Sequence, residues 1–141
     1  MKHINDFILE KFKLNSNNAK FNKYNKELIE DIITHFGLEK DNKINKYIEE
    51  WVTFNNVDKV FYYADKESLE EGKNAGMSDD ILNNFNTDYS KNEKCQYELD
   101  KCKEVYDEDG LTIQYNKNMI AFLSDIGAVY CTNKEIDKIQ N

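Results

Sequence analysis

The side chains best suited to metal binding or nucleophilic catalysis are Cys95, Cys102, Cys131, His3 and His35. Cys95 and Cys102 stand at C-x6-C spacing, which on a helix places them on one face but about 10 Å apart along the axis. A shared tetrahedral ion would need closer ligands, and the chain has no C-x2-C or H-x3-H pair to supply them. Asp107-Glu108-Asp109-Gly110 has the acidity of a calcium loop. The fifth and twelfth loop positions counted from Asp107 are Leu111 and Asn118, where an EF-hand requires oxygen ligands and a Glu. That segment reads instead as a solvated turn. No spacing links Cys131 to His35 as a nucleophile and base, and there is neither a G-x-S-x-G motif nor a glycine-rich phosphate loop. The expectation is therefore a chain with no catalytic site, no metal site and no cofactor.

Carboxylates are the more promising chemistry. Glu30-Asp31, Glu49-Glu50, Glu70-Glu71 and Asp79-Asp80 are adjacent pairs on predicted helices. Neighbours at i, i+1 diverge by about 100° around a helix, so no pair forms an acid–base dyad by itself. Carboxylates gathered on a surface can instead stand where phosphates would bind, and gain association rate by electrostatic steering. Glu67, Glu70, Glu71, Asp79 and Asp80 lie close together in sequence and are the candidate partner-binding residues. Tyr62-Tyr63 on a predicted strand must send one ring to each side of a sheet. Tyr63 is taken as the ring that joins the carboxylates at the partner surface. A second surface mix is Phe12, Phe21 and Tyr24 among Lys11, Lys13, Lys20, Lys23 and Lys26, which more commonly tucks a loop onto a core than holds a strand of nucleic acid.

Composition narrows the partners. All 19 basic residues are Lys, against 27 acids, giving a net charge of −8 and a pI near 4.8. Arg supplies the two-pronged donor that reads guanine edges and phosphates, and Lys is only a point charge. With that absence and this net charge, direct sequence-specific nucleic-acid binding is excluded as the leading reading. The charge is unevenly spread: residues 1–26 hold 6 Lys and 2 acids, residues 27–90 hold 6 Lys and 15 acids, and residues 91–141 hold 7 Lys and 10 acids. A basic protein partner fits the acidic middle. The absence of Pro and the 19 Asn residues reflect the amino acids that A/T-rich codons specify, so individual Asn and Lys residues carry little functional weight. No apolar run approaches the roughly 20 residues that cross a bilayer, no signal-peptide pattern opens the chain, and the odd cysteine count suits a reducing compartment. These features lead to the expectation of a cytoplasmic protein of a bacterium or infected bacterial cell, without a membrane role.

The elements that must position these residues follow from periodicity. Ile4, Phe7, Ile8 and Phe12 predict a helix over 2–14, joined through 15–25 to a second helix from about Asn25. Leu28, Ile29, Ile32, Ile33 and Phe36 form one face of the latter, with Gly37 at its C-terminal cap. Asp41 caps a third helix carrying Ile44, Tyr47, Ile48, Trp51 and Val52. Val57 to Ala64 reads as a strand, and a helix from Asp65 to Gly76 follows. Ser78 opens a short helix with Ile81, Leu82 and Phe85. A capping box at Ser90-x-x-Glu93 predicts a helix with Cys95, Leu99, Cys102 and Tyr106 on one face. Asp109-Gly110 is a turn, Leu111 to Tyr115 an alternating strand, and Met119, Ile120, Leu123 and Ile126 a short helix ending at Gly127. Ala128 to Cys131 predicts a brief strand, and Thr132-x-x-Glu135 a capping box before a C-terminal helix. The expected fold is α+β: a mostly helical single compact domain, 1–141, with a small two- or three-stranded sheet. Residues 1–26 form a mildly basic N-terminal helix and loop, and 27–141 an acidic core.

The function this implies is a small acidic protein inhibitor that neutralises a protein partner, a nuclease or other nucleic-acid-binding protein, in a phage anti-defence (anti-CRISPR-like) or toxin-immunity setting. The same features are compatible with two other classes. One is a small-ligand binder or enzyme with a pocket between helices and sheet; the other is a phage structural or assembly protein docking through its N-terminal helix.

Overall fold

A computed structural model describes residues 18–139, with side chains from residue 26 onward. The predicted 2–14 helix, with Lys11, Phe12 and Lys13 of the aromatic–basic mix, lies outside the described residues, while Lys20, Phe21, Lys23, Tyr24 and Lys26 fall in the first helix. Twelve elements follow in order: α1 (Asn18–Phe36), α2 (Asn42–Phe54), β1 (Phe61–Ala64), α3 (Lys66–Asn74), α4 (Asp79–Leu82), β2 (Phe85–Asn86), α5 (Tyr89–Leu99), β3 (Lys103–Glu108), β4 (Leu111–Tyr115), β5 (Met119–Ser124), β6 (Ala128–Thr132) and α6 (Ile136–Ile139).

The sheet corrects the sequence-based fold. In place of two or three strands there are six, in the order β2-β1-β6-β5-β4-β3, with β1 and β2 parallel and every other neighbour antiparallel. The fold is still α+β, but organised around a mixed sheet. Helices cover both faces. On one face α1 and α2 bury Ile32, Ile44, Ile48, Trp51 and Val52 against Ile113, Ile120, Phe122 and Cys131. On the other, Cys95 of α5 and Ile136 of α6 pack on Tyr63, Met119, Ala121 and Tyr130. A strand buried on both sides loses the apolar–polar alternation that marks a strand in sequence. β5 shows this directly: Met119, Ile120, Ala121 and Phe122 are all buried, and this continuous apolar run is what the sequence presented as a helix.

A second correction lies between α5 and β3. The predicted helical face Cys95–Leu99–Cys102–Tyr106 is broken at Leu99, where the chain turns through Cys102 N–H donating to Leu99 O at 2.9 Å. Cys102 is thus a turn residue, and Tyr106 sits in β3 beside Ile113. Helix α5 starts under Asp88, whose carboxylate accepts from Ser90 N–H at 2.9 Å and Ser90 Oγ at 2.8 Å, so Ser90 is the capped residue and not the cap. Thr132 likewise ends β6 and donates to Lys134 O at 2.6 Å in place of opening a helix. The stretch 18–25, read as part of a joint, is the first part of α1, and the strand predicted over 57–64 begins only at Phe61.

Local signals elsewhere agree with the structure. Gly37 takes φ +67, with Leu38 N–H donating to Ile33 O and Gly37 N–H to Thr34 O, the paired bonds of a left-handed helix cap. Asp41 accepts from Ile44 N–H at 3.0 Å and Ser78 from Ile81 N–H at 3.4 Å. Gly110, at φ +80, turns β3 into β4. One buried polar network was not foreseen. Glu98, 1% exposed, accepts from Asn116 Nδ2 at 2.9 Å and Asn118 Nδ2 at 3.2 Å, while Lys101 stands 3.6 Å from its second oxygen. Asn116 O in turn accepts from Trp51 Nε1 at 2.9 Å. The β4–β5 turn is thereby held to a helix on each side of the sheet.

Candidate functional site

The five candidate carboxylates fall on one arm, residues 65–82, that crosses the end of the sheet. Asp65 fixes its start: Oδ1 accepts from Ser68 N–H at 2.8 Å and caps α3, and Oδ2 accepts from Ala128 N–H of β6 at 3.1 Å. Ser68 Oγ donates to Ala128 O at 3.2 Å. This close approach requires a glycine at 127, because a Cβ there would collide with Ser68 Oγ and lie 2.7 Å from Asp65 Oδ1. The arm returns to the sheet at Phe85, which pairs with Tyr62. Between these anchors neither α3 nor α4 contains a fully buried residue.

Helical spacing sorts the acids. Glu67, Glu70 and Glu71 stand at i, i+3 and i+4 and share one face of α3. Gly76, at φ +95, turns the chain into α4, whose first turn carries Asp79 and Asp80 under the Ser78 cap. All five are exposed. The arm contains only Lys66 and Lys73 as cations. Tyr63 does not join them. It is 4% exposed, lies on the opposite face of the sheet, and its hydroxyl accepts from Ile136 N–H at 3.4 Å. Strand alternation correctly separates the two tyrosines, but α5 and α6 cover the Tyr63 side and α1 covers the Tyr62 side. Neither ring is an open platform.

Under the arm is an apolar cavity of about 240 Å³. Phe36, Phe85 and Phe122 line it, with the Phe36 ring centroid 4.6 Å from Phe122 and 5.9 Å from Phe85. Leu69, Met77 and Leu82 face these rings from the arm, while Ser68, Glu71, Ser124 and His35 supply its polar border. Nothing in the sequence pattern announces this space, since α3 and α4 show few apolar residues and their standing off from the sheet is a tertiary property.

His35 separates the cavity from a larger, open polar cleft of about 590 Å³ that also borders Asp31, Tyr62, Asn84 and Asn86. Its Nδ1 lies 2.8 Å from Asp31 O, a group that only accepts, so Nδ1 carries the proton. Nε2 then accepts from Asn84 Nδ2 at 3.0 Å. The ring stacks on Tyr62, centroids 4.4 Å apart, and the Tyr62 hydroxyl donates to Asp31 Oδ2 at 3.0 Å. Burial above all, then the nearby Cys131 and Asp31, push the Tyr62 phenol far above its ordinary value, so it remains a proton donor. With both His35 nitrogens engaged, this group braces β1 and the α4–β2 turn against α1. The Asp31–His35 i, i+4 spacing is visible in sequence; the Tyr62 and Asn84 partners are not.

Burial also holds the thiols in their protonated form. Cys131 is fully buried and its thiol is held well above its ordinary value by burial, and Cys95 and Cys102 are pushed to about 12 by burial and then by Glu98. A thiol kept protonated is a poor nucleophile. Among the described residues no three His, Cys, Asp or Glu side chains converge as metal ligands, and no helix is long and apolar enough to cross a membrane. Comparison with protein-family models, curated proteins and solved structures gives no match to the chain.

Proposed function

We propose that this chain is a protein-binding inhibitor that presents the α3–α4 carboxylates to a basic surface of its partner, the kind of surface with which a nuclease or other nucleic-acid-binding protein holds phosphates. The observation that supports this reading most is the gathering of Glu67, Glu70 and Glu71 on one exposed helix face, with Asp79 and Asp80 exposed on the same arm. Exposed carboxylates contribute little to folding stability. They do set up a negative field, which raises association rates with a cationic surface by roughly 10- to 1,000-fold at low salt. Occupying a phosphate-binding surface blocks its use by nucleic acid.

The test is the association rate with the protein recovered by affinity capture from the native host, measured as salt is raised from low to physiological concentration. A rate that falls steeply, by at least roughly tenfold, with a dissociation rate that changes little supports steering by the acidic arm. A rate indifferent to salt contradicts it.

A further inference from the structure

The acidic arm and the space beneath it combine two properties that recognise one chemical class of small molecule. The arm is pinned at Asp65 and Ser68 to β6 and at Phe85 to β1, and between those points it bridges the apolar cavity without a fully buried side chain of its own. The Phe36, Phe85 and Phe122 rings and the Leu69, Met77 and Leu82 side chains offer an apolar, partly aromatic lining. The space is about 240 Å³ and opens to solvent along its polar border. A phenyl ring with a short alkyl chain fits that volume.

The border fixes the charge of the occupant. Glu71 lines the cavity, and its carboxylate has no hydrogen-bond or ion-pair partner among the described residues. No Lys lines the cavity, and Glu67, Glu70, Asp79 and Asp80 add negative potential around the same arm. Lys66 and Lys73 are the arm's two cations against five exposed carboxylates and neither lines the cavity, so an anionic amphiphile would meet a net like charge. An ammonium would gain the Glu71 carboxylate while its apolar body is desolvated against the rings, with aromatic faces available to a cation.

We propose that the cavity between the α3–α4 arm and the sheet is a binding site for a small arylalkyl or alkyl amine, with the apolar body among Phe36, Phe85 and Phe122 and the ammonium on Glu71. The site stands on the cavity and shares only Glu71 with the protein-binding reading of the outer arm, so Glu67→Lys with Glu70→Lys tests that reading alone, and loss of a protein partner and loss of amine binding are distinguishable results.

The test uses the full chain with three probes of one shape: 3-phenylpropylamine, 3-phenylpropanol and 3-phenylpropionate. Binding is followed by methyl chemical shifts of Leu69, Met77, Leu82 and Val129 and by calorimetry. The amine should shift these methyls saturably and bind at least tenfold more tightly than the carboxylate, with the alcohol between them. Glu71→Gln, a substitution at an exposed position that leaves folding intact, should remove the preference for the amine over the alcohol while the alcohol binds as before. Three results overturn the proposal: no saturable shift of the cavity methyls with the amine, carboxylate binding as tight as amine binding, or an amine preference that survives Glu71→Gln.

Discussion

Two helical regions on the same side of the sheet are built in opposite ways. Helix α2 sinks Ile44, Ile48, Trp51 and Val52 into the core, each 0% exposed, and its identity as a helix and its position are fixed by that burial. The α3–α4 arm fully buries nothing and is held by a few polar tethers around Asp65, Ser68 and Ala128. Stability resides in the first region, while charge and open apolar space reside in the second. Local stability follows buried apolar contact, so the arm is expected to open more readily than α2. Binding surfaces are commonly drawn from such segments.

The sharpest way to break the contrast is to delete its buried pole. Trp51→Ala removes a fully buried indole together with its bond to Asn116 O, and should cost about 3–5 kcal/mol in denaturant unfolding. Gly127→Ala acts on the other pole by forcing a methyl group into Ser68 and Asp65. It should cost about 1–3 kcal/mol, and amide exchange over 66–82 should accelerate more than exchange over 44–53. Equal acceleration of both segments would show that the arm and the core open as one unit.

A third test uses pH. Cys95 and Cys102 have folded-state values near 12 against an ordinary 9.0. The unfolded chain therefore loses these protons first, and stability should fall as pH rises from 9 toward 12, with no contribution from these groups below pH 8. Replacing both thiols with Ala should lessen that alkaline slope in denaturant melts, with Cys131 and Tyr130 contributing to what remains. The smallest effect is expected at Glu67, Glu70 and Glu71, where single Gln substitutions should change stability by no more than about 0.5 kcal/mol.

How much of this contrast was legible in sequence depends on how many partners each element has. Helices α1 and α2 each turn one face to the sheet, so their 3.6-residue stripes, the Gly37 stop and the Asp41 start could be read directly. The Asp109-Gly110 turn and the β4 alternation were legible for the same reason. β5 was not, because burial on both faces erased its period. β3 was hidden by its charged, edge-strand composition, with Lys103, Glu104, Asp107 and Glu108 on an exposed margin that reads as helix or loop. At the candidate site the acidic cluster was visible as composition, and the shared face of Glu67, Glu70 and Glu71 follows from simple spacing. Tyr63 was misplaced because strand alternation assigns opposite sides without saying which side is covered. The cavity was invisible: Phe36, Leu69, Phe85 and Phe122 come together only when α1, the arm and two strands meet.

The central claim, that the outer face of the α3–α4 arm meets the partner, is tested most directly by reversing its charge. The variant Glu67→Lys, Glu70→Lys, Glu71→Lys leaves every buried contact in place, so its melting temperature should stay within a few degrees of the parent. Captured side by side from the same host extract at low salt, the parent should retain a stoichiometric basic partner and the variant should lose at least nine-tenths of it. Equal recovery of that partner by the folded variant would contradict the account.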